Sequence, residues 1–140
     1  MFHMKREAQF TTKFRKWLQS REDAAHAAAY EIKVSTDKSI PFSAVKEHQV
    51  GALKQVKHGM FSQKIPDAGW QNPFDLFVLC KQEAYVVLAF LEPRKKTQVW
   101  IIDIDLFLRM QEVEDRKSMN YPMLAYYADT EPDYISEHLI

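Results

Sequence analysis

The sequence predicts an α/β domain with a mixed central sheet flanked by helices. Three observations carry that expectation: an aromatic stripe at helical spacing near the start, an alternating strand-like stretch followed by a second amphipathic segment, and four later strand-like runs. One of those runs, Val86 to Phe90, is continuously apolar, as a central strand covered on both faces requires.

In chain order, residues 6–19 place Phe10, Phe14, Trp17 and Leu18 on one helical face and Lys13, Arg15 and Lys16 on others. The aromatic stripe reads as core, and the cations are left for phosphate or water. Residues 28–34 alternate: Tyr30, Ile32 and Val34 can enter a core while Glu31 and Lys33 project from the opposite surface. The turn-rich segment Ser35 to Pro41 leads to a second helix, expected from Phe42 and Ser43 to Lys57, with Ser43 as its N-cap and Gly59 as its stop. Val45, Ala52, Leu53 and Val56 form its apolar stripe. Gln49 falls on that stripe, where a buried amide is costly unless a partner meets it; it is either bonded to nearby backbone or aimed at the Glu31 strand. Strands follow over Phe61–Ile65, Phe74–Cys80, Ala84–Leu91 and Val99–Ile104, with Lys81-Gln82-Glu83 as a tight link. Asp105 to Glu114 and Tyr121 to Ala128 read as helices, and the acidic stretch 129–140 as a loose tail.

At 140 residues with 46% apolar content, the chain supports one core and one domain. No apolar run approaches the roughly 20 residues of a membrane span, and the start lacks a signal-peptide core, so a cytoplasmic or otherwise intracellular protein is expected, including host cytoplasm for a viral one. Cys80 is the single cysteine and is expected to be a buried, inert thiol. The histidines have no zinc-ligand spacing with it, and three glycines cannot build a phosphate-cradling loop, which speaks against nucleotide-hydrolysing or Cys-dependent chemistry. The formal charge of zero hides an asymmetry: residues 1–64 carry twelve Lys/Arg against six Asp/Glu, and residues 65–140 carry seven against thirteen. Either the basic half presents a face to a polyanion, or the two halves attract each other.

Glu31-Ile32-Lys33 on a strand, a following helix with an inward Gln49, and then further strands resemble the PD-(D/E)XK nuclease superfamily. More narrowly, Pro41-Phe42-Ser43, His48-Gln49, Lys64-Ile65-Pro66-Asp67 and Pro73-Phe74-Asp75 resemble small phage and bacterial RecU-type Holliday junction resolvases, over roughly residues 6–108. The resemblance implies a restriction-endonuclease-like core and Mg²⁺-dependent cleavage of branched DNA, with Mn²⁺ able to substitute, by a homodimer whose two sites cut symmetrically. It makes Glu31 and the Ile32 carbonyl metal ligands, Lys33 the residue that orients water and stabilises charge, and Gln49 a support of the site. Lys13, Arg15, Lys16, Lys38 and His48 are the candidate DNA contacts.

The superfamily also places an Asp on the strand before Glu-X-Lys. Upstream this chain offers only Glu22 and Asp23, with little room for a hairpin before Glu31. Asp75 is the first substitute, on the expectation that its strand pairs with the Glu31 strand, and Asp67 the second; either can instead bond its own turn backbone. An incomplete metal site would make the chain a non-catalytic nucleic-acid-binding or adaptor protein.

Overall fold

A computed structural model describes residues 2–21, 27–65, 74–128 and 131–135. Its main sheet has the strand order β1-β5-β6-β8, from β1 (Ala28–Ser35), β5 (Glu83–Phe90), β6 (Thr97–Asp103) and β8 (Asp133–Ile135). β1 runs parallel to β5, with Glu31 opposite Val86 and Lys33 opposite Leu88. The other two pairings are antiparallel, so the sheet is mixed, as expected.

The alternation of side chains divides the core into two layers. On one face Phe10 and Phe14 of α1 (Phe2–Gln19) pack with Ile32, Val87, Ala89, Val99 and Ile135. On the other, Leu53 and Val56 of α2 (Glu47–His58), Phe107 and Met110 of α3 (Ile104–Val113), and Leu124 of α4 (Tyr121–Ala128) cover Val86, Leu88, Trp100 and Ile102. Residues Val86 to Ala89 have no exposed surface, which is why that run carries no polar residue. Phe14 stacks with Phe10 and Trp17 of its own helix at 5.8 and 5.7 Å and ties α1 to β1 through its edge contact with Tyr30 at 5.4 Å.

Several elements depart from expectation. Phe42–Ala44 is a short 3-10 turn and α2 begins at Glu47 with Lys46 in the cap position, so Ser43 is not the cap. Within the stretch expected to be loose, Asp133–Ile135 forms β8 and buries Ile135, because an apolar residue beside β6 completes the α1 face. A short pair joins β2 (Ser39–Pro41) to β7 (Ser118–Asn120). β3 (Met60–Lys64) and β4 (Leu76–Cys80) form a separate antiparallel ribbon. Phe61 and Leu79 lie against the core, whereas Met60, Leu76 and Val78 face outward at 62%, 56% and 48% exposure. Cys80 shares that outward face and is exposed, not buried. The link at Lys81 is tight, with φ 53°, but it passes the chain from the ribbon to the main sheet instead of closing a hairpin. No helix among the described residues is long and apolar enough to cross a membrane.

Candidate functional site

β1 is an edge strand, and Glu31 and Lys33 stand on its α2 face with Lys33 Nζ 3.1 Å from Glu31 Oε1. Their side chains are 25% and 14% exposed respectively, less open than a pair on a solvated strand face. Opposite them β5 presents Val86 and Leu88, fully buried, so the pair stands at the rim of an apolar layer. The backbone adds a third group. Leu91 N–H donates to the Ser35 carbonyl at 2.8 Å, and in a parallel ladder this means that odd-numbered residues of β1 bond to β5. The carbonyl of Ile32 therefore points to the open edge, although its side chain is buried in the α1 layer.

The other sequence candidates do not gather there. Gln49 Oε1 accepts the backbone N–H of Lys46 at 2.9 Å and so caps the start of α2; the amide expected to aim at the Glu31 strand meets local backbone. β4 pairs with β3 and not with β1, so the pairing that would have set Asp75 beside Glu31 is not formed. Asp75 is exposed, and its carbonyl accepts from Ile65 N–H at 2.8 Å, closing the ribbon. Glu22, Asp23 and Asp67 lie outside the described residues. Among the described residues, no three His, Cys, Asp or Glu side chains are grouped to hold a metal ion.

The candidate DNA contacts are also dispersed. Lys13 and Lys16 line a shallow pocket on α1 with Gln9 and Thr12, and Arg15 is exposed beside them. That helix covers the sheet face opposite to Glu31 and Lys33, so the basic helix and the ion pair do not share a face. His48 is exposed at the start of α2, and Lys38 follows the carboxyl end of β1.

A polar cluster that sequence reasoning missed lies where α2 ends and α3 begins. Lys57 Nζ donates to both carboxylate oxygens of Asp103 at 2.6 and 2.7 Å and lies 2.7 Å from Asp105 Oδ2. His58 Nε2 lies 2.9 Å from both oxygens of Asp105. Asp103 Oδ1 also accepts Asp105 N–H at 2.8 Å and caps α3. Hydrogen bonds to Asp103 and Asp105 hold the Lys57 ammonium above its usual pKa, and those from Lys57 and His58 hold the Asp105 carboxyl below its own. Cations at the end of one helix and carboxylates at the start of the next also satisfy both helix dipoles. The signal was present in sequence, as Lys57-His58 before Gly59 and Asp-Ile-Asp at a strand-to-helix change. Close by, burial and then the Glu83 carboxylate push the Tyr85 hydroxyl up to about 12.

Chemically, the Glu31 rim offers one carboxylate and one free carbonyl, and Lys33 offers one ammonium. Hard oxygen donors suit Mg²⁺, which takes one or two carboxylates and completes its shell with water and substrate phosphate. The Lys57 cluster has its carboxylates saturated by cations and is a structural tie. Comparison with known proteins identifies no relative: no family model, no curated protein and no solved structure matches this chain.

Proposed function

We propose that the chain is a Mg²⁺-dependent endonuclease that hydrolyses phosphodiester bonds of branched DNA, as Holliday junction resolvases do, and that it works as a homodimer. The observation that supports this reading is the Glu31–Lys33 pair at the rim of an edge strand, with the Ile32 carbonyl turned to the same open edge. Strand β1 is followed in the chain by helix α2 and then by further strands, the order that the resemblance has for Glu-X-Lys and what comes after it. Glu31 and the Ile32 carbonyl would hold the ion, and Lys33 would place the attacking water and offset charge developing on phosphorus. Bound Mg²⁺ supplies the Lewis acidity that polarises the phosphoryl oxygen. A homodimer is supported by the ribbon. Bonding of Ile65 to Asp75 and of Lys81 to Gly59 leaves the backbone groups of Leu76 and Val78 on the outer edge of β4, a stretch without charge or proline that a second copy could extend.

The test is cleavage of a labelled four-way junction with Mg²⁺ or Mn²⁺. Wild type should cut, and Glu31→Ala and Lys33→Ala should each lose at least about a hundredfold in rate. A wild type that binds junctions and never cuts them favours the second reading, a non-catalytic nucleic-acid-binding protein. One observation supports that alternative: Glu31 is already neutralised by Lys33, and no further acid joins it among the described residues.

A further inference from the structure

Beyond the carboxyl ends of the parallel strands β1 and β5 the fold opens a cavity of about 620 Å³. Lys38 enters it from the turn after β1, Lys95 and Lys96 from the turn after β5, Tyr121 from the start of α4 and Tyr134 from β8. The volume suits a small organic ligand. The cavity lining is basic, with Lys38, Lys95 and Lys96 against Glu92, while Glu131 accepts the Tyr121 hydroxyl at 3.0 Å and bonds that ring's polar tip, not its face. Glu92 is paired with Lys95 at 3.0 Å, whereas no carboxylate pairs with Lys38 or Lys96 among the described residues. Its aromatic walls are open to solvent: Tyr121 and Tyr134 are 41% and 51% exposed, and Tyr121 makes a T-shaped contact with buried Trp100 at 5.6 Å. Uncancelled ammonium groups and available ring faces in one cavity call for a ligand that is both anionic and flat.

We propose that this cavity binds a nucleotide unit, its phosphate on Lys38 and Lys96 and its base against Tyr121 or Tyr134. Ammonium groups recognise phosphate as point charges, and a base of any identity can stack on an aromatic face, so the site is built for a single strand more than for a sequence. The inference rests on nucleic acid being the ligand class. It does not depend on Glu31, on a metal or on cleavage.

The unit can arrive as a free nucleotide or as part of a strand, and one experiment separates the two. Fluorescence anisotropy of a labelled oligothymidylate is measured in EDTA, where hydrolysis is silent, with thymidine monophosphate as competitor. Wild type should bind the oligonucleotide with an affinity that falls as salt rises. Lys38→Ala/Lys96→Ala should weaken binding at least about tenfold and flatten the salt dependence, each lost phosphate contact lowering the slope by about 0.7 for a single strand. Tyr134→Leu should weaken binding with the salt slope unchanged, and Lys54→Ala, which removes an exposed lysine from α2, should bind like wild type. Competition by the mononucleotide at comparable concentration identifies the free nucleotide as a sufficient ligand; its absence identifies the strand. Wild-type affinity in both the double-lysine and Tyr134 variants, or no binding of either probe by the wild type, overturns the proposal. Junction cleavage without such binding overturns it while leaving the nuclease reading intact.

Discussion

Gln49 lies four positions from Leu53 on the α2 stripe, and spacing alone does not reveal that its oxygen turns back to the Lys46 N–H. Because that bond satisfies one of the unpaired donors at the helix start, Gln49→Ala should cost about 1 kcal/mol in urea unfolding, and Gln49→Glu, which keeps the acceptor, should recover most of it. A large loss of junction cleavage in Gln49→Ala at unchanged stability would return the residue to the site. Asp105 makes a different prediction. Its pKa is lowered on folding, so its contribution is present above the ordinary carboxyl range and lost as pH falls through the folded value. That of Lys57, whose pKa is raised, is present below the ordinary lysine value and lost as pH rises through the folded one. The stability gap between wild type and Asp105→Asn should therefore be widest from about pH 5 to about pH 9 and shrink on either side. Being solvent-exposed, the pair should contribute no more than about 1 kcal/mol, and added salt should reduce it. Thermal unfolding across pH reads both limits.

Among the elements, α1 and the β3–β4 ribbon are opposites. Phe14 is 2% exposed and touches three other rings, so Phe14→Ala should destabilise the protein by about 3–5 kcal/mol. On the ribbon, Val78 is about half exposed, and a charge there meets water. Val78→Lys should leave the unfolding free energy within about 0.5 kcal/mol of wild type and shift sedimentation from a dimer to the 16.5 kDa monomer. A wild type that is monomeric at high concentration would remove the role given to this edge. The helical stripe of α1 and the apolar run of β5 were legible because burial leaves a period in the sequence. The partner of β4 was not. Leu76 to Cys80 is apolar on both faces, so its pattern fits a sheet interior as well as a ribbon, and pairing between distant segments is fixed by the packing of α2 and the turn at Lys81.

For the whole molecule, the opposed charges of the two halves are spent in part on holding the fold together. Arg21 after α1 reaches Asp133 of β8 at 3.8 Å while stacking over Trp17, and Lys57 and His58 reach Asp103 and Asp105. That is the mutual attraction that the charge asymmetry allowed, and it explains why the imbalance did not predict where a polyanion would lie. The alternation around Glu31 did predict which face the pair occupies. It could not predict that β1 would stand at an edge, since strand order belongs to the tertiary fold. One consequence of that order concerns time. Ala28 stands opposite Glu83, so the seam between β1 and β5 closes only after α2 and the entire ribbon have been threaded past it. Antiparallel β5 and β6 can meet through the short turn at Arg94, whereas β1 must wait for a long-range encounter. The strand carrying Glu31 and Lys33 should be a late arrival in refolding, on the millisecond-to-second scale of non-local sheets, and pulse-labelled amide exchange should protect Leu88, whose N–H faces β6, before Lys33, whose N–H faces β5.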